Sequence, residues 1–192
     1  MSLVLKPEID PNNASMLTLI TAMAVAGGIE KTTGLECKIK WPNDIVIHGK
    51  KVCGILTEMS TQMDYINYIV IGIGINVQNE SFPEEIGEVA TSLRIESGKK
   101  QNRAAIIEAV WEEFEKYYDI YLKTEDMQGL VGEYDQKLAN MNKQVRVLDP
   151  KDPYEGTARG ITPKGELIVD TWEARKLVSS GEVSVRGLYG YV

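Results

Sequence analysis

The stretch KWPNDIVIHGKKVCGILTEMS, residues 40–60, decides how the rest of the sequence is interpreted. Two apolar runs, residues 45–47 and residues 52–59, lie on either side of His48-Gly49-Lys50, an arrangement typical of a β-hairpin. Ahead of the hairpin, Asn43-Asp44 follows a proline and favours a turn whose side-chain oxygens can bond backbone or ligand. From these residues alone we expect a strand, a corner and a hairpin.

Lys50 and Lys51 follow the hairpin tip. A lysine pair at such a tip is more often solvated than functional, but a compact ammonium group also suits a phosphate or a carboxylate. Strand alternation places Gly54 and Leu56 on one face and Lys51 on the other, so Lys51 reaches their face only from a turn or a bulge. Both a solvated pair and a bulged, ligand-binding Lys51 remain open.

A second segment, IGIGINV at residues 71–77, reads as a central buried strand because it is almost wholly apolar. Gly72, Gly74 and Asn76 alternate along it and therefore share one face. Glycine inside a strand often marks the close approach of a ligand or of another backbone, and Asn76 offers the donor and acceptor that suit an adenine edge. The alternative is a helix packed closely on the sheet. A dinucleotide-binding loop does not fit, because residues 78–85 contain Pro83 and do not open a helix.

Hydrophobic periodicity predicts the other elements of the first part of the chain. Strands are expected at residues 3–5, 37–41 and 68–77, and the segment around Pro83 is expected to be a loop. Helices are expected at residues 14–33, 103–123 and, more weakly, 130–141. Asn13 and Asn102 are the expected N-caps of the first two helices, and Gly34 is the expected C-terminal stop of the first.

The pattern changes near residue 142. Five short strands separated by Gly and Pro turns are predicted from there on, at residues 144–148, 155–161, 166–170, 175–179 and 183–185, which is typical of a small closed barrel. We therefore expect an α+β chain with two domains. Residues 1–141 would form a catalytic domain with a mixed sheet flanked by helices, and residues 142–192 a small β-barrel.

Composition limits the kind of partner. With 43% hydrophobic and 26% charged residues the chain can build a core, and its net charge of −7 argues against a duplex nucleic acid as partner. Cys37 and Cys53 lie in apolar, strand-like sequence and are expected to be buried reduced thiols of a cytoplasmic protein. With His48 as the single histidine and no Cys-x-x-Cys spacing, no metal site built from protein ligands is expected. No apolar run approaches the ~20 residues of a membrane span.

Three segments, in their order and spacing, resemble the catalytic core of the biotin protein ligases. They are Lys-Trp-Pro-Asn-Asp at residues 40–44, Lys-x-x-Gly-Ile-Leu-x-Glu at residues 51–58, and Ile-Gly-x-Gly-Ile-Asn at residues 71–76. Thr-Ser-Leu at residues 91–93 fits the same pattern, and residues 156–161 and 181–186 resemble the small SH3-like barrel of that family. The resemblance is highly specific, runs over essentially the whole chain, and implies a class II synthetase/biotin ligase-like fold.

The resemblance implies a reaction and a set of roles. Such a protein uses ATP and Mg²⁺ to convert biotin into biotinyl-AMP, then transfers the biotinyl group to a lysine of the biotin carboxyl carrier protein of acetyl-CoA carboxylase. Lys51 would be the catalytic lysine that bridges the biotin carboxylate and the α-phosphate. The other implied site residues are Gly54 and Leu56 as the floor of the biotin pocket, Gly72 and Gly74 beneath the ligand, Asn76 at the adenine, Asn43 and Asp44 near the ribose, phosphates or Mg²⁺, and Arg186 reaching from the barrel toward the nucleotide.

The sequence departs from the family in its first part. The Gly-Arg-Gly-Arg-type loop of the family, its Ser-Thr segment and glutamine at the biotin ring, and the helix-turn-helix that some members carry are absent from the printed residues. We therefore expect an N-terminal part to be missing and this chain alone to show little ligase activity. The alternatives are a fragment that binds biotin or nucleotide without ligating, and a lipoate ligase-like acyl-adenylating enzyme, against which the Trp-Pro-Asn-Asp segment and the barrel argue. Dimerisation through the central sheet, as in many family members, is also compatible.

Overall fold

The computed structural model of the chain describes residues 1–62, 65–149, 152–180, 184–187 and 191–192. In this part of the chain the first sheet consists of β1 Ser2–Leu5, β2 Lys38–Lys40, β3 Asp44–Ile47, β4 Lys50–Gln62 and β5 Tyr65–Ile75. The second sheet consists of β6 Gln144–Leu148, β7 Tyr154–Ile161, β8 Leu167–Asp170, β9 Arg175–Val178 and β10 Ser184–Gly187. The helices are α1 Met16–Thr33, α2 Glu84–Gly87, α3 Leu93–Ser97, α4 Arg103–Tyr121 and α5 Val131–Lys137.

The first sheet has the strand order β1-β5-β4-β3-β2, and every pair of neighbouring strands is antiparallel. The α+β class is confirmed, but the expected mixed sheet is wrong. Strands β2 to β5 follow one another after only two or three residues, and so short a connection permits only antiparallel pairing. At the β3–β4 tip, His48 and Gly49 both have positive φ, 49° and 79°, as a two-residue hairpin turn requires.

The second sheet has the order β10-β6-β7-β8-β9 and is open as far as the described residues show. The expected closed barrel is therefore wrong, because closure needs its two edge strands to pair, and β9 pairs with β8 whereas β10 pairs with β6. The pairing of β7 with β8 changes register between Ala158 and Ile161, next to Gly160 at a φ of 109°. Four of the five strand predictions match β6 to β9 within a residue or so at each end. Of the fifth, residue 183 lies outside the described residues, as do residues 181 and 182.

The long helices largely follow the sequence prediction. Gly34 ends α1 in the left-handed region at a φ of 73°, and Asn102 caps α4 by accepting from two backbone amides, so both predictions are confirmed. Asn13 does not cap α1, because it lies in a short 3-10 turn, Pro11–Asn13, that separates the strand from the helix. Among the described residues no helix is both long enough and apolar enough to cross a membrane.

The expected loop around Pro83 contains two short helices, α2 and α3. Ser92 caps α3, since its side-chain oxygen accepts a hydrogen bond from the Ile95 amide. Helices of four and five residues span little more than one turn. They therefore leave no hydrophobic period in the sequence, which is why the pattern did not predict them.

Gly28 allows α1 to cross α4 at close range. A Cβ atom on Gly28 would lie 2.7 Å from both the backbone nitrogen and Cγ2 of Val110, whereas one on Gly27 would meet only the Glu113 side chain, at 3.3 Å. We expect Gly28→Ala to lower the free energy of unfolding by about 1–3 kcal/mol through overpacking. The matched change Gly27→Ala should be neutral or stabilising by up to ~1 kcal/mol, since alanine is the better helix former. Urea denaturation measures both, and equal losses would argue against the close crossing.

Cys37 and Cys53 are buried free thiols, as expected from the sequence. Burial raises the pKa of each thiol from 9.0 to about 12. We expect neither to react with a disulfide reagent at pH 8 in the folded protein, and both to react after unfolding in guanidinium, because the thiolate is the reactive form. Since the folded pKa lies above the unfolded one, the stability linked to these thiols is complete below pH 9.0 and is lost as the pH rises toward 12. Fast labelling of either thiol in the native state would contradict this burial.

Candidate functional site

The first sheet has one covered face and one open face. On the covered face Cys53 and Ile55 are buried, and Thr18 of α1 donates to Thr57 of β4 at 2.8 Å, which places α1 on that side. The alternate residues of each strand point to the open face. One row of directly opposed residues on the open face consists of Lys40, Asp44, Gly54 and Gly74.

A β-bulge brings Lys51 to this open face. The register between β3 and β4 shifts after Ile45, which leaves Val52 as one extra residue in β4. The bulge that Lys51 needs to reach the face of Gly54 and Leu56 is therefore present. Its ammonium group lies over Gly54, where an added Cβ atom would come within 2.9 Å of the Lys51 Nζ. Gly54 thus provides the notch that accepts the lysine side chain.

Asp44 is the centre of a charged cluster. The Lys51 Nζ lies 2.6 Å from Asp44 Oδ1, and the Lys40 Nζ lies 3.9 Å from Asp44 Oδ2. The Tyr191 hydroxyl donates to Asp44 Oδ2, and the Tyr191 ring centre lies 4.3 Å from the Lys40 Nζ. Asp44 is 7% exposed and Lys40 8%. Two ammonium groups and a phenol therefore share one largely buried carboxylate.

Positive charge exceeds negative charge in this cluster. Burial lowers the pKa of the Lys40 ammonium, Asp44 opposes that shift, and the charges of Lys51 and Arg186 lower the pKa further. Arg186 is an exposed residue of β10, so the second sheet contributes to the field at the first. Three cationic side chains thus act around one carboxylate in a chain of net charge −7. Such a local excess attracts an anionic ligand.

Gly72 and Gly74 form a bare strip on the open face of β5, beside the cluster. A Cβ atom on Gly72 would have only the Leu56 carbonyl oxygen within 4 Å, at 3.7 Å, and one on Gly74 only the Gly54 carbonyl oxygen, also at 3.7 Å. No helix of the described chain packs against these glycines, so that explanation of them fails. Leu56 borders the strip and is 64% exposed. The strip leaves room for a flat or extended ligand to lie directly on the sheet.

The two asparagines expected near a nucleotide are each held by a backbone carbonyl. Asn43 Nδ2 donates to the Ile55 carbonyl at 2.9 Å, and Asn76 Nδ2 donates to the Thr91 carbonyl at 3.1 Å. These bonds fix the orientation of both side chains. Asn76 follows the bare strip on the same strand, at its end nearest Lys51.

The structure thus places the residues expected from the sequence around one patch, and it adds three others. The alternation of side chains along strands could have placed Lys40 in the site, since Lys40 pairs with Asp44 across the short connection between β2 and β3. Thr91 lies in the Thr-Ser-Leu segment that the family resemblance covers, but nothing in its spacing connects it to Asn76, 15 positions away. Tyr191, which is 147 positions from Asp44, had no signal in the sequence.

The site contains little that could hold a resident metal ion. In the described part of the chain no three His, Cys, Asp or Glu side chains are grouped closely enough to bind one. Asp44 is the carboxylate of the cluster, and both its oxygens contact cationic or phenolic groups. Mg²⁺ commonly binds through one or two carboxylates together with substrate phosphates. The donor set therefore fits an ion that arrives with a nucleotide.

Comparisons with known proteins agree for both parts of the chain. Residues 1–76 match the model of the biotin/lipoate A/B protein ligase family, and residues 141–186 match the biotin protein ligase C terminal domain. The chain is 38% identical over 187 residues to the bifunctional ligase/repressor BirA of Bacillus subtilis, covering 96% of this chain. It is 30% identical over 171 residues to the biotin–[acetyl-CoA-carboxylase] ligase of Mycobacterium tuberculosis, covering 87% of this chain.

The fold is also similar to solved structures. The biotin protein ligase from Aquifex aeolicus in complex with biotin and ATP has a TM-score of 0.86 and 29% identity, and the match covers 97% of this chain and 77% of that one. Its apo structure gives a TM-score of 0.87 at the same identity, covering 97% and 80%. The chain spans 57% of the length of the Bacillus relative and 61% of the Mycobacterium one.

Proposed function

Because the chain belongs to the biotin protein ligase family, we propose that it binds biotin and ATP on the open face of its first sheet and joins them into biotinyl-AMP. The observation that carries this proposal is the position of Lys51. The bulge in β4 places its ammonium group over Gly54, next to Asp44 and beside the bare strip. A cation and a clear stretch of sheet thus adjoin one another, as a ligand with one anionic end and one flat end requires.

The proposed reaction brings two anions together. A carboxylate oxygen of biotin attacks the α-phosphorus of ATP, the bond from that phosphorus to the bridging oxygen breaks, and pyrophosphate leaves. Lys51 would contact both the carboxylate and the α-phosphate, which lowers their mutual repulsion and stabilises the charge that develops in the transition state. Asp44 holds the Lys51 ammonium group in place when no ligand is bound, with Asp44 Oδ1 at 2.6 Å from the Lys51 Nζ. Lys40, buried beside Asp44, adds a second positive charge behind the first.

The remaining groups would position the ligands. Gly54 and Leu56 would form the floor under biotin, Gly72 and Gly74 would lie beneath the adenylate, and Asn76 would contact the adenine. Asn43 would lie near the ribose and phosphates.

The second sheet would take part through Arg186. We propose residues 1–141 as the catalytic domain and residues 142–192 as the C-terminal domain, whose Arg186 would reach the nucleotide from β10. Its charge already acts on the first sheet, since it lowers the pKa of Lys40.

Mg²⁺, when bound, would neutralise phosphate charge. Asp44 is the residue of this chain that would contact it, together with the phosphates of ATP. Lys51 and Tyr191 occupy the two Asp44 oxygens, so the ion would have to share or displace these contacts.

The second proposed step is transfer. An unprotonated lysine amine of a biotin carboxyl carrier protein attacks the acyl carbon of biotinyl-AMP, AMP leaves, and the amine gives up a proton as the amide forms. The Mycobacterium relative is named for acetyl-CoA carboxylase, which makes its carrier subunit the proposed acceptor. A cytoplasmic location and a homodimer remain predictions that follow from the family resemblance.

Calorimetry with biotin, lipoic acid and a nonhydrolysable ATP analogue tests the proposal on this chain. We expect biotin and the analogue both to bind, and biotin to bind at least about 10-fold more tightly than lipoic acid. Tighter binding of lipoic acid would favour the lipoate ligase-like alternative. Binding of neither acid would contradict the proposed function.

Mass spectrometry for biotinyl-AMP after incubation with biotin, ATP and Mg²⁺ separates an adenylating enzyme from a binding module. Because the chain spans 57% of the length of the Bacillus relative, we expect it alone to form little biotinyl-AMP, whereas a binding module would form none. Biotin-dependent pyrophosphate release at the rate of a complete ligase would overturn that expectation.

A further inference from the structure

Residues 89–91 run parallel to β4 beside Lys51. The Lys51 amide donates to the Val89 carbonyl at 2.7 Å, and the Thr91 amide donates to the Lys51 carbonyl at 2.8 Å. The two segments form a parallel bridge between Lys51 and Ala90. Both backbone polar groups of Lys51 are therefore engaged by this short segment, at the point where the bulge interrupts the regular β3–β4 pairing. The segment fixes the backbone from which the lysine side chain reaches the notch at Gly54.

The same segment fixes Asn76. Its Nδ2 donates to the Thr91 carbonyl at 3.1 Å, and its own carbonyl accepts from the Leu93 amide at 2.9 Å. Thr91 therefore bonds through its amide to Lys51 and through its carbonyl to Asn76. Thr91 thus bridges the cation and the amide side chain of the proposed nucleotide site, in addition to the direct bond at 2.8 Å from the Asn76 amide to the Val52 carbonyl.

A buried hydroxyl–carboxylate pair holds Thr91 itself. Thr91 is 1% exposed, and its hydroxyl donates to Glu96 Oε1 at 2.5 Å. Glu96 belongs to α3, its side chain is 12% exposed, and its other oxygen lies 2.6 Å from His48 Nδ1 at the hairpin tip. A hydrogen bond to a carboxylate is stronger than one between neutral groups. This pair therefore ties the bridging segment to a helix on one side and to the β3–β4 hairpin on the other.

We propose that Thr91 and Glu96 are positioning residues that set the distance between Lys51 and Asn76, and hence the fit of the nucleotide. The inference rests on the proposed function and deepens it. The α-phosphate and the base are joined covalently through the ribose and must reach Lys51 and Asn76 at once, so a change in that distance weakens nucleotide binding. Biotin would lie against Gly54 and Leu56, which Thr91 does not contact by any hydrogen bond described in the structure. Of Lys51 and Asn76, biotin would contact only Lys51, through its carboxylate, so its binding should depend little on the distance between the two residues and hence on the Thr91 hydroxyl.

Thr91→Val tests this proposal, because it removes the hydroxyl at nearly constant volume, and Thr91→Ser is the matched control that keeps it. Calorimetry with a nonhydrolysable ATP analogue and, separately, with biotin is the measurement. We expect Thr91→Val to weaken nucleotide binding about 10-fold, consistent with the loss of a charge-assisted hydrogen bond, and to leave biotin binding within about 2-fold of wild type. Thr91→Ser should restore nucleotide affinity to within about 3-fold.

Glu96→Ala and His48→Ala keep the test decisive if Thr91→Val folds poorly. Glu96→Ala should reproduce the nucleotide-selective loss, whereas His48→Ala should cost less than about 3-fold because the His48 side chain is 77% exposed. Unchanged nucleotide affinity in both Thr91→Val and Glu96→Ala would overturn the proposal. Equal losses of biotin and nucleotide affinity would also overturn it, since they indicate a general structural role. A wild-type chain that binds neither ligand would instead refute the proposed function on which the inference rests.

Discussion

Lys51→Ala is expected to lower the rate of biotinyl-AMP formation at least about 100-fold in the longest natural form of the protein. Its ammonium group is the cation that the bulge delivers to the open face, 2.6 Å from Asp44 and over the Gly54 notch. Removal of one preorganised charge-stabilising donor typically costs about 10²–10³ in rate. Mass spectrometry of biotinyl-AMP, with pyrophosphate release as a second readout, measures the loss. On this chain alone, the same change should weaken binding of the ATP analogue in the presence of biotin.

Lys50→Ala is the matched control for this prediction. Lys50 is the adjacent lysine, but its Nζ donates to the Gly87 carbonyl at 3.1 Å and takes no part in the Asp44 cluster. We expect the Lys50→Ala variant to form the adenylate at a rate within about 3-fold of wild type. Lys51→Ala should keep its midpoint of urea denaturation close to that of wild type, since the Lys51–Asp44 pair is partly exposed and such pairs contribute little to stability. Unchanged adenylate formation by Lys51→Ala, or equal losses in the two variants, would refute the role assigned to Lys51.

Gly72→Val and Gly74→Val are expected to abolish ligand binding without harming the fold. The added Cβ would have only one backbone oxygen within 4 Å, at 3.7 Å, so the sheet accommodates it. Valine is also favoured over glycine in strands, and stability should stay equal or rise. The two methyl groups would stand in the space that the ligand needs directly above the strip. When biotin and the ATP analogue are added together, we expect the affinity of the protein for them to fall at least about 100-fold.

Val70→Ile provides the matched control, because Val70 lies on the same face of β5 one step beyond the bare strip, opposite Val4 and Glu58. An added methyl group there should change ligand affinity less than about 3-fold. Calorimetry gives the affinities and thermal unfolding gives the stabilities. Full ligand affinity in both glycine variants would show that nothing binds over the strip, and a collapse of stability would show that the glycines serve packing instead.

The strands and the two long helices could be predicted because each carries a local hydrophobic period over many residues. The bulge was one of the alternatives that the sequence left open, since strand alternation separates Lys51 from Gly54 unless a turn or one extra residue intervenes. Sheet topology was harder to predict. Tight turns dictate antiparallel pairing, yet the sequence does not show that β1 and β5 also pair antiparallel, across the long α1 connection. The closed barrel failed for the same reason, since pairing of edge strands depends on distant residues.

The candidate site could be predicted only along the segments that the family resemblance covers. Lys51, Asp44 and the glycines lie on three consecutive strands, so their meeting follows from the hairpins. Tyr191 reaches Asp44 from 147 residues away, and no spacing rule connects them. The junction at Thr91 depends on a short parallel bridge and on a one-turn helix, neither of which has a periodic signal.

We propose above all that the ligand lies on the open face of the first sheet, between Lys51 and the bare strip. Glycine amide chemical shifts, in chain labelled with ¹⁵N-glycine, test it most directly when biotin and a nonhydrolysable ATP analogue are added together. We expect large shifts at Gly54, Gly72 and Gly74, and unchanged signals at Gly28 between α1 and α4 and at Gly132 in α5. Shifts confined to glycines outside the first sheet, or none at Gly72 and Gly74 at saturating ligand, would contradict it.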